Sequence, residues 1–377
     1  MDRVMQRAAR FATAVLAAGT VLGGAAFSPA TAGATSTPLQ PVASQYAPKG
    51  KPPPIGAAAA GSPKTVPGTN FAADPNSSFY YGVAYQYAVV DGASGYYTVA
   101  KPAVATGDFH SLAELAVESS DGQQAVEIGW TVDRGLNGDD NPHLFVNHWV
   151  DGNPTCYNGC GFVPFTDGSN QGVTAGMTLP VSATDVQQFW IQYISGGWDV
   201  GYNNAWLGYF PDSLWGGRFT KVGLTQWFGE VADAKPNTPC SEMGNGGYAA
   251  SASAARIQNV GFIVGPGGPT ADITISVTNP AYYTALKTNS ASMSYGGQGA
   301  CRTVPDIRGD NPNGVPNVLS AAGLVRGTVT PVTDPLCEDL NRVISQSPAP
   351  GSRVSAGALV NITYGVRPRT GCPNPRQ

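Results

Sequence analysis

The chain has 377 residues, 42% of them hydrophobic and 12% charged, with a net charge of -4. That length allows one large domain and a small one, and the acidic balance leaves no basic footprint for nucleic acid. With 48 glycines and 31 prolines, the composition suits a turn-rich all-β protein and excludes a helical bundle.

Arg3, Arg7 and Arg10 precede an apolar stretch that begins at Phe11, and Ala30-Thr31-Ala32 supplies small residues for cleavage. This reads as a secretory signal peptide over residues 1–32. An uncleaved anchor is disfavoured because Gly, Ala and Thr dilute the stretch, and no later segment is long and apolar enough to span a bilayer. The expected location is extracellular. Residues 33–75 include Lys51-Pro52-Pro53-Pro54 and Ala57-Ala58-Ala59-Ala60. They cannot build a core and read as a disordered Pro/Ala/Gly-rich lead-in.

From about residue 76 to 302, short β-like runs alternate with turn clusters. The expected strands include Ala84–Val90, Tyr96–Ala100, Leu112–Glu118, Ala125–Val132 and His143–Val150. Further expected strands are Gln187–Ile194, Asp199–Tyr202, Ala205–Phe210 and Gly223–Val231, with turns at Asp121-Gly122, Asp151-Gly152 and Asp167-Gly168. Strands of this length and spacing predict a two-sheet antiparallel β-sandwich, concanavalin-like in plan. Six cysteines suit an exported chain with three disulfides. Sequence alone leaves fifteen pairings open. The pairing expected here is Cys156 with Cys160 across a tight turn, Cys240 with Cys301 in the large domain, and Cys337 with Cys372 in the small one. No metal site is expected, because Cys156-x-x-x-Cys160 has no second ligand pair at suitable spacing.

After Cys301 the pattern changes. Val304-Pro305-Asp306 leads to a predicted helix over Val315–Leu324, then to Gln346-Ser347-Pro348-Ala349-Pro350-Gly351 and to a strand ending at Gly365. Residues 303–367 closely resemble a PASTA domain, so a small α+β unit is expected over 303–377. The resemblance implies peptidoglycan as a further partner.

Recognisable catalytic signatures are missing: there is no Gly-x-Ser-x-Gly elbow, His-Glu-x-x-His, Walker loop or dinucleotide fingerprint. His143 and His148 would face opposite ways in a strand, which argues against a shared metal. His148 reads as a packed or edge residue, and His110 has no evident nucleophile partner. Carboxylates remain. Of 25 acidic residues only six are glutamate, and two of these, Glu127 and Glu230, lie inside tryptophan-marked strands. Alternation puts Glu127 with Ala125, Gly129 and Thr131, and Glu230 with Gln226 and Phe228. Each glutamate therefore takes the smaller or more polar face of its strand. A pair of carboxyls flanking a water could run hydrolysis, although alternation alone equally allows two unrelated, solvent-facing glutamates.

Residues 79–301 resemble the neprosin family of secreted glutamic peptidases. The resemblance is carried by Val126-Glu127-Ile128-Gly129-Trp130, His143-Leu144-Phe145-Val146 with Trp149, and Cys156-Tyr157-Asn158 with Cys160-Gly161-Phe162. It continues in Leu207-Gly208-Tyr209-Phe210-Pro211, Trp227-Phe228-Gly229-Glu230-Val231 and Met243-Gly244-Asn245-Gly246. It implies Glu127 and Glu230 as the catalytic pair, no cofactor, and cleavage of protein or peptide substrates at or beside proline at acidic pH. Plant members carry a long activation domain; no such folded prodomain is expected in the stretch before Phe79. Gln226, Tyr209, Trp149 and Trp227 are candidates for lining the cleft, with plain core packing the alternative for each. Two other classes fit paired carboxylates and tryptophans on a sandwich: a glycoside hydrolase, and a non-catalytic wall- or carbohydrate-binding protein.

Overall fold

Runs that alternate bulky apolar residues with small or polar ones become the long strands of two facing sheets, with proline confined to short edge strands and a strand end. The computed structural model describes residues 77–106, 108–233 and 239–373. The signal-peptide and lead-in readings lie outside the described residues. One sheet is built from β1 (Ser78–Val90), β3 (His110–Glu118), β4 (Ala125–Val132), β5 (His143–Val150) and β11 (Val222–Asp233). Short β6 (Asn153–Pro154) and β13 (Thr274–Val277) close its edges, in the order β13-β1-β11-β3-β4-β5-β6. The other sheet holds β2 (Gly92–Thr98), β7 (Val163–Pro164), β8 (Val186–Ile194), β9 (Gly197–Tyr202) and β10 (Ala205–Pro211). It is completed by β12 (Ala255–Ile263), β14 (Thr284–Asn289) and β15 (Ser292–Gly296), in the order β14-β15-β12-β2-β8-β9-β10-β7. The expected two-sheet antiparallel sandwich is the observed fold.

The main core lies between the sheets and includes the fully buried Trp130, Trp198, Trp215 and Trp227. A buried indole N–H needs an acceptor. Trp130 Nε1 donates to Thr98 O (3.1 Å) and Trp227 Nε1 to Ser94 O (3.0 Å). Both acceptors belong to β2, so β4 and β11 are each pinned to one strand of the opposite sheet.

Four strands, β12 to β15, fill the stretch before Cys301 in which β-like runs are expected but no individual strand is marked. The alternation of β12 is broken by a register shift between Gln258 and Gly261, which defeats a period of two. The last part of β14 is exposed Leu-Lys-Thr-Asn, an edge with little apolar signal.

Beyond the sandwich, β16 (Cys301–Thr303) pairs with β19 (Arg353–Ser355), and β17 (Val325–Thr333), β20 (Leu359–Val366) and β18 (Val343–Ser347) form a separate three-stranded sheet. Helix α2 (Val315–Ala321) covers a distinct core with Val304, Ile307, Leu324, Val360 and Ile362. The helix stops short of the expected Leu324. Gly323 takes φ 71°, and Leu324 N–H turns back to Leu319 O (2.8 Å), a Schellman-type ending that glycine permits. Shorter though it is, the unit is the small α+β domain anticipated from the sequence.

Three disulfides are present: Cys156–Cys160, Cys240–Cys301 and Cys337–Cys372. The second is reinforced by Arg353 of the small unit, whose side chain is 4% exposed. Its Nε donates to Cys240 O (3.1 Å) and its Nη1 to Glu242 Oε1 (3.2 Å), while Nη2 meets Gln298 O and Cys301 O. Glu242 Oε2 in turn accepts from Ala103 N (2.9 Å). A fixed guanidinium fork thus joins the small unit to two segments of the sandwich. Arg353→Ala strands a half-buried carboxylate and is expected to cost about 3 kcal/mol in urea unfolding. Arg308→Ala, which breaks an exposed pair with Asp306, is expected to leave the urea midpoint nearly unchanged.

Candidate active site

The outward face of the first sheet carries the carboxyls. Strand register lays its residues out in rows across β11, β3, β4 and β5. One row runs Gln226, Ala116, Glu127, Asn147; the next Phe228, Glu114, Gly129, Phe145; the third Glu230, Leu112, Thr131, His143. Glu127, Glu114 and Glu230 therefore form a diagonal, each one row and one strand from the next. Diagonal neighbours in a sheet are about 7–8 Å apart at Cα. Glu114 is the member that sequence reading missed, although the scarcity of glutamate and its place in the alternating Leu112–Glu118 run were available signals.

The glycines of the two motifs have separate steric causes. A Cβ on Gly129 would lie 2.1 Å from Ala113 O and 2.7 Å from Glu114 Cβ, so glycine leaves room for the central carboxyl on this face. A Cβ on Gly229 would lie 2.4 Å from the Tyr295 ring, in the core on the other face.

None of the three glutamates is exposed; each is 0% accessible, which overturns the solvent-facing reading. Phe79, Tyr81, Phe145, Tyr157 and Phe228 form a buried aromatic cluster, and Phe228 and Phe145 share the Glu114 row. Glu127 is held at both oxygens: Trp149 Nε1 donates to Oε1 (2.8 Å) and Asn147 Nδ2 to Oε2 (2.9 Å). Glu230 Oε1 lies 2.7 Å from His110 Nε2. Tyr81 sits opposite Glu230 across the β1–β11 ladder. Tyr157 is delivered by the Cys156–Cys160 loop, where Asn158 bonds Val146 through N–H to O (2.9 Å) and accepts from Val146 N at Oδ1 (3.0 Å).

The two phenols report the common field. Burial, followed by the charges of Glu230, Glu114 and Glu127, holds the Tyr81 hydroxyl well above its ordinary range. Tyr157 is raised in the same way, by burial and then by Glu230, Asp133, Glu114 and Glu127. Both hydroxyls thus remain protonated donors facing one acidic cluster.

The candidate lining residues divide. Gln226 lies on the carboxyl face, level with Glu127, and Trp149 bonds Glu127 directly. Trp227 and Tyr209 do not reach this site. Trp227 points into the inter-sheet core because it alternates with Gln226 and Phe228, and Tyr209 lies on β10 of the other sheet, stacked on Phe165 at 5.6 Å. His143 bonds Gly176 O through Nδ1 (2.8 Å) and Asp139 through Nε2 (3.1 Å). His148 faces the inter-sheet core against Phe210 and Trp215, with centroids 4.7 and 5.6 Å away. Among the described residues, no cluster of three or more His, Cys, Asp or Glu is arranged to hold a metal.

The class this defines is a β-sandwich with a buried acidic cluster on one outer sheet face. Residues 107–298 match the Neprosin family and residues 302–365 the PASTA domain. With over half of its length matched, the chain belongs to the Neprosin family. Among solved structures, it is similar to scytalido-glutamic peptidase with a peptide-based transition-state analogue (12% identity, TM-score 0.34, covering 57% of this chain and 98% of that one). A second structure of that peptidase with a transition-state-analogue inhibitor gives 11% identity and a TM-score of 0.37 over 57% and 97%. SCP-B, a member of the Eqolisin family of peptidases in complex with a tripeptide, gives 10% and 0.33 over 57% and 96%. Family membership supports a peptidase-type hydrolase as the class of activity.

Burial pushes the His148 imidazole down to about 4, against an ordinary value of about 6.5. Between those values the unfolded chain binds the extra proton, so stability falls as pH drops through that window. The loss from this residue is about 3 kcal/mol. His148→Phe, which keeps the aromatic contacts, is expected to flatten the fall in unfolding free energy between pH 6.5 and 4; an equally steep fall in the variant would rule this source out.

Proposed function

We propose that this protein is a secreted glutamic endopeptidase in which Glu127 and Glu230 activate a water against the peptide bond, with a preference for sites at or beside proline. The carrying observation is geometric: Glu127 and Glu230, on different strands, are both fully buried on one sheet face, joined by Glu114 on the strand between them. Two carboxyls in one dry environment do not both ionise cheaply. At acidic pH one is ionised and takes a proton from water as hydroxide adds to the scissile carbonyl. The other, protonated, polarises that carbonyl and then protonates the departing nitrogen. Trp149 and Asn147 fix one carboxyl for this work, and Gln226, level with Glu127, is a contact for the substrate backbone.

Glu127→Gln and Glu230→Gln preserve side-chain shape and remove proton transfer. Each is expected to lower kcat on a proline-rich protein at pH 3–6 by about 10²–10⁴-fold. Full activity in both variants sinks this mechanism, and release of sugars from soluble glucans instead of peptides would favour a glycoside hydrolase.

The PASTA unit supports a second, separable role, tethering the peptidase to peptidoglycan outside the cell. The full chain is expected to co-sediment with purified peptidoglycan, and a chain ending at Thr303 to stay in solution. Equal retention of both would remove the tethering role.

A further inference from the structure

Glu230 has a titratable partner in His110, and two donors on Glu127, Trp149 and Asn147, do not titrate. His110 and Glu230 make their 2.7 Å contact with both side chains fully buried. On the far side of the ring, Nδ1 lies 3.9 Å from Asp133 Oδ2. Asp133 is the N-cap of α1 (Arg134–Asn137), where its Oδ1 accepts from Leu136 N (2.9 Å). The carboxyl cannot swing away without uncapping that turn, at a cost of about 1 kcal/mol. Phe79 lies along the ring at a centroid distance of 6.5 Å. The β3–β11 ladder, the cap and this aromatic contact hold carboxyl, imidazole and carboxyl in sequence.

We propose that His110, backed by Asp133, is a positioning residue that holds Glu230 in the orientation and the ionised form needed to accept a proton from water. This rests on the peptidase reading of Glu230. The argument is one of charge. A buried carboxylate stays ionised when a donor or an opposite charge matches it. The groups facing Glu230 are Tyr81 on β1, Glu114 on β3, Glu127 on β4, Tyr157 from the disulfide loop and Asp133 beyond the imidazole. None of these can carry a positive charge, whereas His110, in contact with Glu230, can. Burial raises the Asp133 carboxyl, and the His110 charge acts in the opposite direction, so the ring couples the two acids it separates.

The chain has three histidines, so an imidazole ¹⁵N titration of the full chain can follow each one. Glu230→Gln is expected to lower the His110 midpoint by about 1–3 pH units, because the anion that favours imidazolium is gone. His143 serves as an internal reference. Asp133→Asn, which keeps a cap acceptor, is expected to lower the His110 midpoint by less, and it supplies the measurement if the first variant does not fold. A His110 midpoint that moves in neither variant overturns the proposal. In peptide hydrolysis, His110→Gln is expected to lower kcat by about 10- to 100-fold with KM little changed. The acid limb of its profile should move to higher pH, since a carboxylate without its cation protonates sooner. A profile that shrinks without moving would overturn the positioning role. If the wild-type chain cleaves no peptide at any pH, the peptidase reading fails, while the titration still decides the His110–Glu230 link.

Discussion

Two indole hydrogen bonds set the geometry on which the acidic face depends. Trp130 and Trp227 send their N–H groups across the core to Thr98 and Ser94, both on β2. In a strand each neighbour takes the opposite face, so fixing a tryptophan inward fixes the glutamate three residues away outward. A slip of one residue in β4 or β11 would bury a carboxylate between the sheets and leave an indole without its acceptor. The Glu-x-Gly-Trp and Trp-x-Gly-Glu patterns are therefore mirror statements of one constraint. The tryptophan anchors, the glycine relieves a clash, and the glutamate is presented.

Presentation alone does not make a site. Burying three glutamates on an outer face is costly unless other groups answer them. Here the answers come from several parts of the chain: Asn147 and Trp149 from β5, His110 from β3, Tyr81 from β1, and Tyr157 from a loop closed by Cys156–Cys160. The disulfide loop thus does more than brace an edge, since it carries a phenol to the acidic cluster. The same logic of distributed support holds the small C-terminal unit, where the Arg353 fork gathers backbone carbonyls from the sandwich as well as Glu242.

Much of the architecture was legible from pattern. Strands such as Leu112–Glu118 and Ala125–Val132 alternate cleanly, because one face meets the core and the other meets the acidic layer. The helix of the small unit was overrun by a few residues because a Schellman ending depends on backbone conformation at Gly323 as well as on glycine itself. Strands β12 to β15 have no sharp individual signature because a register shift and exposed edge residues erase the period of two. Within the site, Gln226 and Trp149 fall on the correct face by alternation. Trp227 takes the core-packing alternative because alternation turns it inward, and Tyr209 does so because its motif lies in the opposite sheet.

By itself the sequence determined which side chains each strand turns the same way, since alternation is a property of the backbone and needs no partner. It therefore fixed that Glu127 and Glu230 each face away from their strand's tryptophan. Only the tertiary structure decided who stands beside them. Strand order put β3 between β4 and β11, which inserted Glu114 into the diagonal, set Gln226 level with Glu127, and brought His110 to Glu230 across 120 residues of chain. Those neighbours are products of pairing between distant strands, and no local spacing encodes them.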